Sequence, residues 1–224
     1  MDGGSTWAVE TKSGRGRCLV ASSDIPAGAV VLAEAPVVWW VDARALSGTC
    51  AYCTRPIAGT AAADCCEHCD QVHYCGPDCR AGDAERHGAA CALMRTASTL
   101  RELCTGGGDE AWAVLAPAER DETSVLEALS LLHFAAYAAA LRDTNAAAFA
   151  QLWGQASDVP LAPAEEAQCS VVLRALTSAD SPLASASWLN ADFVRGLCKR
   201  DKANTFAITV TATEGADAAE RTPH

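Results

Sequence analysis

The chain is short of basic charge. It carries 17 Lys+Arg against 28 Asp+Glu, a formal net charge of -11. That balance offers no electrostatic footprint to nucleic-acid phosphates, so broad DNA or RNA binding is not expected. It has no run of about eighteen consecutive apolar residues, which argues against a membrane span. The opening residues, MDGGSTWAVE, lack the apolar stretch of a secretory signal. No Ser-His-Asp arrangement or phosphate-binding glycine loop is present, and no fixed-period repeat.

Cysteine is in excess. There are 12 in 224 residues, enough chain for one or two small domains with a core. Eight of the twelve fall in 50–91, interspersed with histidines. Without a secretory signal, such a cluster reads as metal binding in a reducing compartment rather than as a disulfide framework. Alanine is also abundant, 48 residues, and reads as helix propensity and composition with little functional weight.

Along the chain, 7–10 and 18–21 read as short strands around a turn containing Gly14 and Gly16, with a third strand starting at Val30-Val31-Leu32. The apolar run through Trp39 and Trp40 continues this module, which needs later strands to close a core. Residues 105–109 are a flexible break. A helix is predicted from Ser124, with Ser124 and Glu127 as a capping box. Leu126, Leu129, Leu132, His133, Tyr137 and Leu141 form its apolar face, with His133, Tyr137 and Trp153 as core residues. Further helices are predicted over 146–153, from Pro163, and from Asn190 through Leu197. A late strand is expected over 206–210 and a disordered tail beyond it.

The cysteine block is the most specific feature. Cys50-x2-Cys53, Cys66-x2-Cys69, Cys75-x3-Cys79 and His87-x3-Cys91 make four pairs. Eight ligands suffice for two tetrahedral zinc ions with closed, structural coordination. The pairs can combine sequentially or interleaved. Cys66 is preferred to its neighbour Cys65, whose spacing to Cys69 is longer. His68 and His73 stand outside the pairs. Zinc in such a site forms the fold, since a block this small has few large apolar side chains. Acidic residues outnumber basic ones in it, which favours a peptide-binding or structural role over DNA contact.

The order of these pairs, with Val72-His73-Tyr74-Cys75 between them, resembles the MYND zinc finger. That resemblance implies interleaving: Cys50, Cys53, Cys75 and Cys79 on one ion, and Cys66, Cys69, His87 and Cys91 on the other. It also implies protein partners, often proline-containing peptides. Ser13-Gly14-Arg15-Gly16-Arg17, followed by Leu19-Val20-Ala21 and Ile25-Pro26-Ala27-Gly28, resembles the opening of a SET domain. A finger inserted after that opening is the arrangement of the SET-and-MYND lysine methyltransferases, and Ala203-Asn204-Thr205-Phe206-Ala207-Ile208 resembles the strand where their SET core resumes.

The resemblance implies an α+β fold: a split SET-like β-module carrying an inserted MYND finger and a helical insert. Its segments are 5–47 for the first part of SET, 48–94 for the finger, 95–200 for a helical insert whose helices over 110–198 are expected to pack as a separate lobe, 201–211 for the resumed strand and 212–224 for the tail. The family uses S-adenosylmethionine, and by position Ser13, Arg15 and Asn204 are the candidate cofactor contacts. The family's Asn-His-Ser-Cys-x-Pro-Asn segment, channel tyrosine and post-SET cysteines are not found. The expectation is therefore an incomplete, inactive methyltransferase with no assigned catalytic residue, or a zinc-dependent interaction module with an inert SET remnant. The expected location is the nucleus, the cytoplasm or both.

Overall fold

A computed structural model describes residues 6–57, 64–106, 110–113, 115, 120–155 and 157–205. It is a mixed α/β structure and divides into two compact units, 1–36 and 37–224.

In the first unit, β1 (Trp7–Lys12) and β2 (Gly16–Ala21) form an antiparallel hairpin, registered from Trp7 opposite Ala21 to Lys12 opposite Gly16. Gly14 and Gly16 have φ of 72° and 69°, left-handed values that a side chain disfavours. The strand expected at Val30 is not formed: 30–35 carry no regular structure, and Val30, Val31 and Leu32 are exposed. The apolar triplet lies between Gly28, at φ 83°, and Pro36. Among the described residues no strand pairs with it, and an unpaired strand leaves its backbone groups without a ladder.

The second unit begins with a 3-10 helix, Ala43–Gly48, capped by Asp42. Two short strands, β3 (Asp64–Cys65) and β4 (His73–Tyr74), pair antiparallel. Helices α1 (Pro77–Gly82), α2 (Ala84–Met94), α3 (Ala97–Thr105) and α4 (Glu110–Ala113) follow. Then come α5 (Glu122–Thr144), α6 (Ala146–Trp153), α7 (Pro163–Leu176) and α8 (Ala191–Asn204).

Local chemistry sets these boundaries. The N-cap of α5 is Asp121, whose carboxylate accepts from the Ser124 N–H at 2.9 Å. The helix therefore starts before the expected Ser124–Glu127 box: the Asp121 carboxylate caps the positive helix end, and Glu127 instead accepts from the Gln168 amide at 2.8 Å. Asn145 caps α6 and Asn190 caps α8 in the same way. α8 runs past Leu197 to Asn204, held by Arg200, whose guanidinium donates to the Trp153 carbonyl. Residues 201–204, expected to open a strand, are therefore helical. The strand expected at 206–210 and the tail fall outside the described residues.

α5 is the centre of this unit. Thirteen of its residues are buried, among them Leu129, Leu132, Phe134, Ala135, Ala136, Ala138 and Ala139. α2, α3, α6, α7 and α8 all pack against it. The expected single apolar face is thus an underestimate, since the alanines are contact surface that lets neighbouring helices approach closely. α5 is also long and apolar enough to cross a membrane by length and composition, with a mean hydropathy of 1.5. That departs from the expectation that no such segment exists. Of that window, 67% is buried inside the protein, as befits a core helix whose partners are other helices.

The cysteine block is not a lobe apart from the helices. Cys50, Cys66, Cys69, Val72 and Tyr74 belong to the same buried cluster as Leu132 and Phe134. Trp40 stacks on Phe134 with ring centroids 4.5 Å apart. The block and the helical layer share one core.

Candidate metal centre

Each pair of ligands in the block is presented by a local structure that suits it. Cys50 and Cys53 lie in a turn closed by the bridge between Thr49 and Pro56, with the Thr54 N–H donating to the Cys50 carbonyl at 2.9 Å. Cys66 and Cys69 repeat the design after β3, with the Asp70 N–H donating to the Cys66 carbonyl at 2.8 Å. Thr54 and Asp70, each directly after the second cysteine, have φ of 57° and 56°. Two non-glycine residues held in the left-handed region at equivalent places mark a repeated turn that the surroundings enforce. Cys75 follows β4 and Cys79 is on α1, while His87 and Cys91 stand four apart on α2 and so share a face.

These pieces gather the donors into two groups. Cys50, Cys53, Cys75 and Cys79 form one; Cys66, Cys69, His87 and Cys91 form the other. Within each, the ligand atoms lie within 4.8 Å of one another. Sγ–Sγ distances are 3.7 Å for Cys53–Cys75, 3.4 Å for Cys75–Cys79 and 3.7 Å for Cys66–Cys91. Cys69 Sγ is 3.6 Å from His87 Nε2. Zinc–sulfur bonds of about 2.3 Å at a tetrahedral centre place two sulfurs about 3.8 Å apart, and a sulfur and an imidazole nitrogen about 3.6 Å apart. The donor sets therefore fit a tetrahedral ion, and each group could hold one. The arrangement is the interleaved one, first pair with third and second with fourth.

Electrostatics within the groups is uneven. Burial pushes the Cys50 thiol up, but N–H groups of Cys53, Cys75 and Tyr52 outweigh it and bring it down to about 7. Burial likewise opposes ionisation of Cys66, and the N–H groups of Cys69 and His68 overcome it. Burial, with the neighbouring thiols, holds Cys69, Cys75, Cys79 and Cys91 above the usual thiol range. In each group one thiol is thus eased toward ionisation by backbone N–H groups, and a bound cation favours the thiolate form of its cysteine ligands. Burial also lowers His87, keeping the ring neutral as a metal ligand must be.

Cys65 stays outside both groups. Its thiol lies 3.1 Å from Asp70 Oδ1, and burial and that carboxylate push it up to about 12. His68 and His73 also stand outside. The cofactor candidates lie elsewhere: Ser13 and Arg15 are exposed in the β1–β2 turn, whereas Asn204 closes α8 with its amide donating to the Arg200 carbonyl at 2.9 Å.

Sequence reasoning passed over Asp83 and Arg86. Asp83 is fully buried between α1 and α2 and accepts from Tyr74 Oη at 3.0 Å and from Arg86 Nε at 2.6 Å. A charged pair three apart at the start of α2 gave no signal that its carboxylate is buried, because most such pairs are solvated.

No family model matches the chain. A SET and MYND domain-containing protein of Dictyostelium discoideum is 31% identical over 90 residues, which cover 38% of this chain and 17% of that protein. The histone-lysine N-methyltransferase ASHR2 of Arabidopsis thaliana is 26% identical over 202 residues, 87% of this chain and 46% of that protein. The chain thus spans less than half the length of either relative. Over part of its length the chain is thus similar to a SET and MYND domain-containing protein and to a histone-lysine methyltransferase, and its two interleaved four-donor groups are compatible with a MYND-like finger.

Proposed function

We propose that the chain carries a MYND-type finger with two structural zinc ions, and that this finger is a binding module for protein or peptide partners. Cys50, Cys53, Cys75 and Cys79 hold one ion; Cys66, Cys69, His87 and Cys91 hold the other. The observation that carries the reading is the donor spacing, 3.4 to 3.7 Å in the pairs above. Thiolate-rich tetrahedral sets select zinc over hard cations. Protein fills all four positions on each ion, leaving none for a reacting water, so zinc supplies cross-links rather than catalysis. Tyr52, in the turn between Cys50 and Cys53, is 43% exposed. It offers a partner the kind of amphipathic anchor that interfaces favour.

A second reading is S-adenosylmethionine-dependent lysine methylation, supported by the similarity to the Arabidopsis histone-lysine methyltransferase. In it, a split SET-like module contributes Ser13, Arg15 and Asn204 to the donor site. The exposed hairpin turn, and an Asn204 amide that already donates to the Arg200 carbonyl, favour the finger as the working part.

Elemental analysis of the purified chain, followed by calorimetric titration with S-adenosylmethionine, separates the two. Two zinc ions per chain and no heat of binding support the interaction module. Saturable one-to-one binding of the donor moves the function to methyl transfer. A folded chain without zinc sinks the finger.

A further inference from the structure

Arg86 sits one residue before the candidate ligand His87 and spends its guanidinium on four separate parts of the second unit. Nε and Nη2 form a fork on the buried Asp83 carboxylate, at 2.6 and 3.0 Å. Nη1 donates to the Trp39 carbonyl at 2.9 Å, and Nη2 to the Ala51 carbonyl at 3.0 Å. Its faces are covered by the Trp39 ring at 4.2 Å and by the ring of Tyr137, on α5, at 4.3 Å.

Asp83 and Ala51 are not arbitrary partners. Ala51 lies between Cys50 and Cys53. The Asp83 N–H donates to the carbonyl of Cys79 at 3.1 Å, and its carbonyl accepts from the His87 N–H at 2.8 Å. Its carboxylate takes the hydroxyl of Tyr74, next to Cys75. One ion pair therefore touches the 50–53 turn, the 75–79 segment, the His87 helix and α5. Three of these bear ligands, from both donor groups. A buried ion pair is weak as a source of stability because desolvation offsets the attraction; its strength is in fixing register. Only a planar fork can satisfy these directions at once and stack between two rings, which a lysine cannot.

We infer that Arg86 is a positioning residue for both donor groups, locking them to each other and to α5 so that the two ions load and leave as a coupled pair. This rests on the reading that both groups hold zinc. Without the lock, each group keeps its four donors but binds on its own.

The test uses the full chain loaded with zinc, challenged with a chromogenic chelator, and separately titrated with cobalt in the metal-free form. The wild-type chain is expected to release two ions in a single phase and to fill both cobalt sites together. Arg86→Lys is expected to split release into two phases, one faster by about tenfold, as loss of outer-sphere support does elsewhere. Its cobalt spectrum should develop in two steps. Tyr137→Leu, which leaves Asp83, Trp39 and Ala51 as acceptors for Arg86 and removes one stacking ring with its hydroxyl, should split the phases by about threefold, and serves if Arg86→Lys does not fold.

Phe134→Ala is the control: it weakens the shared core without touching Arg86. If it splits the phases as much as Arg86→Lys does, general destabilisation is the cause and the inference is overturned. Wild-type release in two independent phases also overturns it, while leaving the zinc reading intact. Fewer than two ions in the loaded wild-type chain overturns the zinc reading, and the inference with it.

Discussion

In 48–94, eight donor side chains are gathered into two groups, and Val72, Tyr74, Leu93 and Met94 are the large apolar residues buried beside them. In α5, α7 and α8, order comes from the opposite source: continuous apolar contact through Leu129, Leu132, Val171, Val172, Leu176 and Leu197, each at 0% exposure. The cysteine block is specified by a few directional bonds, whereas the helices are specified by many weak contacts that shape makes selective. A change to one donor should therefore be local and severe. A change to one apolar residue should be graded and spread through the layer.

The sharpest way to break that comparison is to remove the metal. Zinc binding to such sites contributes on the order of 10 kcal/mol or more to folding. Chelation is expected to abolish hydrogen-exchange protection in 64–94, while α7 and α8 keep theirs and their helical circular dichroism. Protection surviving in the metal-free block would mean that apolar packing holds it after all.

Cutting into the helical layer comes next. Phe134→Ala removes a buried ring that stacks on Trp40 and is expected to cost about 3–5 kcal/mol in denaturant unfolding. Zinc content should stay at two ions per chain. A loss of metal at native conditions would show that the block depends on this core more than its own bonds suggest.

His133 links the layer to pH. Burial lowers its pKa to about 4, against a hydrogen bond with the Val41 backbone that raises it. Because the folded value lies below the unfolded one, the unfolded chain holds more protons between the two. Stability is then complete above about pH 6.5 and declines as pH falls toward 4, by roughly 3 kcal/mol at most. Melting temperatures of the metal-free chain from pH 7.5 to 4.5 should show this slope, and His133→Leu should flatten it. Equal slopes in both proteins would assign the acid sensitivity to other groups.

The smallest effect belongs to a helix end. Asn190 accepts from the Phe193 N–H at 3.0 Å, and Asn190→Ala is expected to cost about 1 kcal/mol by thermal unfolding. Asn190→Asp should restore most of it. An alanine variant as stable as the parent would mean that α8 is held by Arg200 and the aromatic contacts of Phe193 instead.

How much was legible beforehand follows the same division. The four ligand pairs are readable because metal chemistry demands particular atoms at short spacings along the chain. Their pairing in space was not, since sequential and interleaved schemes satisfy the same spacings; the MYND resemblance supplied that choice. The span of α6 and the cap of α8 at Asn190 were readable, because a capping side chain acts on neighbouring residues, whereas the Asn145 cap of α6 emerged only in the structure. The triplet Val30-Val31-Leu32 misled because β-propensity does not supply a partner strand. The alanines of α5 misled in the other direction, since a small residue looks the same in sequence whether it is exposed or pressed against another helix.

By itself, then, the sequence determined the chemistry of the block: which atoms are present to bind a metal, where its turns fall, and where several helices start. The tertiary structure alone decided that block and helices share one core, that a buried Asp83 pairs with a half-buried Arg86 at their junction, and that α8 continues to Asn204. The reason is distance along the chain. Caps, turns and ligand pairs are settled by residues within a few positions of one another. The Arg86 contacts with Trp39, Ala51 and Tyr137 exist only once segments far apart in sequence have been brought together.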